Sequence, residues 1–370
     1  MPGVPGEVDD TRGEFSSFMD LSETPDWNDV EACIKHLGGK GVPIDDAKCF
    51  NQAINCTELV TLLQWYYLPT MYGLEFCLGL LGNLVIILGY VFCLKEWKST
   101  NVYLFNLAVS DLVFLCTLPR LVRSYANGWA ETSPFLCVAN RYILHVNLYS
   151  SILFMAWVSV DRFLLVRSHG RPHFLLRRDS AVAVSALTWV VVNAQVAPLL
   201  LFILRDMEQG NGTRCSDFAG LSADGALLPY SLVLTATGYI LPMLVLCLSY
   251  AGIVCTLRAQ EGAFKNRTSS SSSFRHPLHV VEATAAMFLV MYTPYHVMRN
   301  VYVGLQRLPG ASFACVKSAY ILTRPLAFAH SVVQPVLYFL MGEQFRELLL
   351  ARLRSLFQEY GPRGASRSDV

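Results

Sequence analysis

Five side chains stand where charge is expensive. Arg141 and His145 are four residues apart in one apolar stretch, so on a helix they share a face. His296 and Arg299 are three apart in a second stretch, and Arg324 lies in a third. Arginine offers a planar fork that matches a carboxylate or a phosphate. Three such groups in an apolar setting repel one another and lose hydration, so something anionic must offset them. Asp217, two residues after Cys215, can neutralise one; the remainder call for an anionic ligand. The plainer alternative is that each arginine snorkels to a membrane interface. Nothing in the chain resembles an enzyme's constellation, no cofactor is implied, and nothing points to nucleic acid.

The elements that carry these residues are long and apolar. Of the 370 residues, 15% are charged and 53% hydrophobic, against about 25% charged in a soluble domain. The apolar residues gather into seven stretches, roughly 69–94, 102–124, 138–166, 180–203, 228–257, 278–303 and 317–341. Each is long enough to cross about 30 Å of hydrocarbon. Backbone groups in lipid need internal partners, so each stretch is expected to be a helix. The fold class expected is an all-α bundle of seven transmembrane helices; a soluble helical bundle would need polar faces that these segments lack. The net charge of +1 says little about partners, because charge is segregated by side.

Lysines and arginines near the helix ends set the orientation. Lys95, Lys98, Arg167, Arg171, Arg177, Arg178, Arg258, Lys265, Arg267, Arg275, Arg346, Arg352 and Arg354 fall on one side, the cytoplasmic one. Seven crossings then put the N-terminus outside a multi-pass plasma-membrane protein. Arg299 lies five residues outward of Pro294, and Arg324 eleven outward of Pro335, about 16 Å at 1.5 Å per residue. The arginines are therefore expected at a similar depth, above the kinks that Pro294 and Pro335 make.

Four regions are expected: an acidic, mostly disordered tail over 1–66, the bundle over 67–342, an amphipathic membrane-surface helix over 343–357 and a cytoplasmic tail over 358–370. The third rests on Phe345, Leu348, Leu349, Leu353 and Leu356 at helical spacing among arginines. No basic-then-apolar leader opens the chain. Asn55 and Asn211 head glycosylation sequons on the outer side. Cys137 opens the third helix at its outer end and Cys215 lies in the second outer loop; a bridge between them would pin that loop over the bundle. Cys315 has three candidate partners in Cys33, Cys49 and Cys56, and the cysteines inside helices, Cys77, Cys93, Cys116, Cys247 and Cys255, are expected to be free core residues. Thr268 and Ser269–Ser273 form a phosphorylation cluster or a plain linker. Ser368-Asp369-Val370 fits capture by a PDZ domain.

Polar residues inside the seven stretches carry a resemblance. Gly82-Asn83, Asn106 through Leu112 with Asp111, Asp161-Arg162-Phe163, Trp189, Pro242 with Tyr250, Phe288 with Pro294, and Pro335-Val336-Leu337-Tyr338 follow one another in order. Together they resemble rhodopsin-like G-protein-coupled receptors. The resemblance implies coupling to a heterotrimeric G protein through Asp161, Arg162, Tyr250 and Tyr338, with Pro294 and Pro335 as hinges. Arg162 can be held at rest by Asp161 and released to face the G protein. It also implies a sodium ion at Asp111 and Ser151, although Gln334 stands where the family has Asn or Asp. Phe163 replaces the usual tyrosine after the arginine.

The ligand is narrowed by the same comparison. Leu144 stands where amine receptors carry aspartate, and the seventh stretch has no mid-helix lysine as opsins do. Tyr295-His296-Val297-Met298-Arg299 holds the His-x-x-Arg pattern of nucleotide and metabolite receptors. Asn101–Leu107, Arg123–Gly128, Asn140-Arg141-Tyr142, Asn147-Leu148-Tyr149 and Thr323–Phe328 are closer still to succinate receptors, over roughly residues 64–355. That resemblance implies a succinate site at Arg141, His145, Arg299 and Arg324, lined by Tyr72 and Tyr125, with His296 beneath and Asp217 above. It also implies an inhibitory-class G protein; arrestin and a receptor kinase are further candidate partners. Oxoglutarate, a nucleotide or another small organic acid remain alternative ligands. An organic-anion transporter is the alternative from another class, for which internal repeats and broken helices would be expected.

Overall fold

The computed structural model describes residues 56–126, 133–168, 173–209, 216–221, 225–263, 281–306, 313–341, 346–352 and 354. The chain divides into two units, Met1–Leu59 and Val60–Val370. Residues 56–59 of the first are described, and they are helical. Among the described residues all regular structure is helical.

Five helices are long and apolar enough to cross a membrane: α1 (Glu58–Cys93), α2 (Ser99–Ala126), α3 (Pro134–Arg167), α4 (Arg178–Gln209) and α5 (Leu227–Ala259). Two more complete the bundle, α6 (281–305) and α7, which runs as Phe313–Phe328 and His330–Met341. Their hydropathy is diluted by His296, Arg299 and Asn300 in α6 and by Lys317, Arg324 and His330 in α7. A short α8 follows at 346–352, with Leu348 and Leu350 exposed and Leu349 buried. α3 is the central column, with 72% of its apolar window buried against 28% for α1. The outward faces are apolar: Leu74, Leu78, Leu81 and Phe92 of α1 and Leu241, Leu244 and Leu248 of α5 are all exposed. Water would penalise such a surface, and hydrocarbon would not.

Three helix features differ from the sequence reading. α1 extends back to Cys56, into residues read as tail, because Val60 and Leu63 bury one face while Leu59, Leu62 and Trp65 stay exposed on the other. α2 is interrupted at Cys116–Thr117, two residues before Pro119, where the Thr117 hydroxyl donates to the Phe114 carbonyl at 2.7 Å. α7 breaks at Ala329, while Pro335 sits inside its second half. A proline cannot donate to the carbonyl four residues back. For Pro335 that carbonyl is Ser331, and the Asn83 amide donates to it at 2.9 Å instead. Gly82 lets the helices meet this closely: a Cβ there would lie 3.0 Å from Pro335.

Prolines also explain three wide turns. π-helical segments occupy Leu63–Tyr67, Ala236–Ile240 and Phe288–Tyr292. Each ends two residues before a proline, namely Pro69, Pro242 and Pro294. The ring of a proline crowds the carbonyl one turn earlier, and an extra residue in that turn relieves the clash. Kinks at Pro294 and Pro335 are expected from the sequence; the extra residue in the turn before Pro69, Pro242 and Pro294 is not.

Candidate ligand site

Three arginines converge at one end of the bundle, and each is buried: Arg141 at 3%, Arg299 at 0% and Arg324 at 3% exposure. The charges of Arg299, Arg141 and Arg324 all act on His145. His145 sits one turn below Arg141 on α3, and its Nδ1 donates to the Arg141 carbonyl at 2.8 Å. Its Nε2 has no hydrogen-bond partner.

Arg299 is fixed by neutral groups. Its Nη1 donates to the Tyr149 hydroxyl at 2.6 Å, and its Nη2 donates to Thr235 Oγ1 at 2.8 Å and to the Ser231 carbonyl at 3.3 Å. The guanidinium carbon lies 4.8 Å from the centre of the Phe218 ring and 5.5 Å from that of Tyr295, within cation–π range. Asn300 braces the same corner, accepting from Ser231 at 2.7 Å and donating to Thr235 at 2.8 Å. Gly238, inside the π turn of α5, makes room for Tyr149: a Cβ there would meet its ring at 2.4 Å.

Arg324 is held differently. Its Nη1 meets Asp217 Oδ2 at 2.8 Å, and its Nη2 donates to the Tyr125 hydroxyl at 2.9 Å. Tyr125 stacks on Tyr72, with centroids 6.0 Å apart. Tyr72 is fully buried, and its hydroxyl has no hydrogen-bond partner. The other carboxylate oxygen of Asp217 accepts from the Gly220 backbone N–H at 3.0 Å and so caps the short turn Phe218–Gly220. That turn lays Phe218 against His145, with centroids 5.3 Å apart, as well as against Arg299.

His296 lies below Arg299 and stacks on Tyr239, with centroids 4.5 Å apart. It is 1% exposed, and neither ring nitrogen has a hydrogen-bond partner. The structure thus brings Arg141, His145, Arg299, Arg324, Tyr72, Tyr125, His296 and Asp217 to one end of the bundle. The sequence reading missed Tyr149, Ser231, Thr235 and Phe218. Ser231 and Thr235 form an i, i+4 polar pair in an apolar stretch, which was a usable signal. Glu75, one turn from Tyr72, was also missed; it is 3% exposed, and neither oxygen has a hydrogen-bond partner. Buried polar atoms without partners are rare in a settled core, and this end of the bundle holds several: His145 Nε2, the Tyr72 hydroxyl, both Glu75 oxygens and both His296 nitrogens.

The other end of α3 lies twenty residues away, about 30 Å along the axis. Asp161 there accepts from the hydroxyls of Ser99 and Thr100. Among the described residues it makes no ion pair with Arg162, unlike the resting arrangement that the sequence suggested. Two α2 hydroxyls within reach satisfy the carboxylate instead. Phe163 packs on Gly252 of α5, where a Cβ would lie 2.3 Å from the ring; Tyr250 is two residues away. Tyr338 lies in α7, its side chain outside the described residues. Cys56 and Cys315 form a disulfide, which selects one of the three candidate partners. Cys137 is disulfide-bonded; Cys215, Asn55 and Asn211 lie outside the described residues. Cys77, Cys93, Cys116, Cys247 and Cys255 are free, as expected, but they are not core residues: Cys93 is half-buried and the other four are exposed.

Seven apolar helices, the Asn83 and Asp111 core groups and a charged site at one end define a class. The chain belongs to the 7 transmembrane receptor (rhodopsin family), whose model matches residues 82–338. It is a multi-pass plasma-membrane receptor that couples a ligand to a G protein, and not an enzyme. Among particular proteins, it is 44% identical to Succinate receptor 1 of Rattus norvegicus over 308 residues, covering 82% of this chain and 95% of that one. The corresponding mouse protein is 41% identical over 300 residues, covering 80% and 93%. P2Y purinoceptor 1 of Homo sapiens is 33% identical over 310 residues, covering 81% and 80%. Family membership removes the transporter alternative.

Proposed function

We propose that this receptor recognises extracellular succinate. Its N-terminus and the arginine site face outward, and it signals through a heterotrimeric G protein of the inhibitory class. The observation that carries the reading is Arg299: a fully buried guanidinium whose bonded partners are all neutral. A buried charge without a counter-charge is costly, and an anionic ligand supplies one. Arg324, on a different helix, already binds one carboxylate, that of Asp217. A short dicarboxylate bridging Arg299 and Arg324 would draw α6 and α7 toward each other, and that shift between packings is the signal. The similarity to proteins named Succinate receptor 1 supports this choice among small acids. Arg141, His145 and Tyr72 complete the wall.

A nucleotide is the second reading, favoured by the His296-to-Arg299 spacing and by the similarity to P2Y purinoceptor 1. Cells expressing the chain, challenged with a panel of dicarboxylates, monocarboxylates and nucleotides and read by cAMP and calcium, separate the two. Succinate is expected to lower cAMP at lower concentration than oxoglutarate or any nucleotide. A nucleotide acting at lower concentration than succinate would overturn the reading. Arrestin and a receptor kinase follow as partners of the active state. A PDZ domain is proposed at Ser368-Asp369-Val370, and membrane lipid under α8.

A further inference from the structure

One buried cluster takes no part in ligand recognition. Asp111 of α2 is fully buried, and so is His330 of α7. His330 Nε2 lies 3.4 Å from Asp111 Oδ1. The same oxygen accepts from the Asn147 amide at 2.8 Å and from the Ser151 hydroxyl at 3.3 Å. The break in α7 aims the histidine. Ala329 donates back to Pro325 at 2.8 Å and Val332 to Ala329 at 3.0 Å, so the chain turns tightly just before His330. His330 Nδ1 donates to the Ala327 carbonyl at 2.6 Å, so Nε2 is the ring atom that faces Asp111; it makes no hydrogen bond there, and the ring acts by filling the space beside the carboxylate. Tyr292 packs on the ring, with centroids 5.4 Å apart.

The sodium ion implied at Asp111 and Ser151 can be tested against these contacts. A hard cation gathers a shell of oxygens that present lone pairs. Here Asp111 Oδ1 meets an amide N–H, a hydroxyl and an imidazole nitrogen. Gln334, which extends one methylene further than asparagine, turns its amide nitrogen to the Met155 sulfur at 3.3 Å. Oδ2 of Asp111, the Asn147 amide oxygen and the Gln334 amide oxygen keep no hydrogen-bond partner. The imidazole nitrogen lies 3.4 Å from Oδ1 and takes the place beside the carboxylate where an ion would be anchored, so these three oxygens cannot gather around it.

We propose that His330 is the resident partner of Asp111 and closes this pocket to sodium, making the receptor's conformational balance independent of that ion. The test is thermal unfolding of the purified full-length receptor in sodium chloride and in choline chloride at matched ionic strength. Matching removes general screening, which both salts share. A ligand that binds only the folded state raises the unfolding temperature by mass action. The native receptor is expected to unfold at the same temperature in both salts. A saturable, sodium-specific rise that vanishes in Asp111→Asn would overturn the proposal, and needs no variant of His330. His330→Asn replaces the imidazole with an amide oxygen, and is expected to gain a sodium-specific rise of a few degrees. If native and His330→Asn are both indifferent to sodium, the exclusion does not depend on His330 and the role given to it is wrong. If His330→Asn does not fold, His330→Ala opens the same space and is read by the same two outcomes.

Discussion

Replacing Arg299 by lysine keeps the charge and removes the fork. The native guanidinium donates through Nη1 to Tyr149 on α3 and through Nη2 to Thr235 and Ser231 on α5, while its face lies on Phe218. An ammonium is a compact point charge and cannot serve two helices while stacking flat on a ring. Each hydrogen bond to a charged group contributes about 1.5–3 kcal/mol net. Part of that loss falls on the empty receptor and part on the complex. For the complex, truncating one partner of a buried charge pair costs about 2–5 kcal/mol. At about 1.4 kcal/mol per tenfold, succinate potency should fall by roughly 25-fold at the least and by up to several-thousand-fold. Arg299→Lys should fail nearly as badly as Arg299→Ala. Tyr149→Phe removes one acceptor and leaves the fork, so its shift should be smaller than either. The assay is a succinate concentration–response for cAMP, with surface expression measured on the same cells. Native potency for both Arg299 variants at native surface density would refute the reasoning and leave the arginine a packing residue.

Three further outcomes are expected. Arg162→Ala should abolish signalling while succinate binding stays within several-fold, because Arg162 lies about 30 Å from Arg141 along α3; radioligand binding beside cAMP measurement checks this. Asp217→Ala should destabilise the receptor by about 3–5 kcal/mol, since it strands Arg324 and uncaps the turn at Gly220; Asp217→Asn keeps the cap and should fall between, as thermal unfolding will show. Cys137 should be found joined to Cys215 by mass spectrometry of surface-expressed protein, and both appearing as free thiols would count against the assignment.

What could be read in advance follows the physics of membranes. Seven apolar stretches name seven helices, because lipid allows the backbone few other solutions. Arg141, His145, Arg299 and Arg324 were visible for the same reason: charge in an apolar segment has to be explained. Their second partners were hidden. Tyr149 reaches Arg299 only because the π turn at Ala236–Ile240 places Gly238 opposite its ring, and no periodicity argument at 3.6 residues per turn contains that extra residue. Phe218 depended on a loop conformation set by Asp217 and Gly220. His330 lies in the middle of the stretch 317–341 and was passed over because nothing in the sequence shows the break at Ala329 that turns it toward Asp111.

The three π turns also bear on insertions and deletions. One residue of helix corresponds to about 100° of rotation. Shortening Ala236–Ile240 by one residue would restore an ordinary helix and swing everything on one side of it by that angle. Tyr239 could then no longer keep its hydroxyl bond to Thr293 at 2.5 Å and its stack on His296 while Ser231 and Thr235 stay on Arg299. Two receptors aligned without a gap across this segment therefore share more than matching letters. They share a phase, and a single missing codon would put the ligand half and the signalling half of the helix out of step.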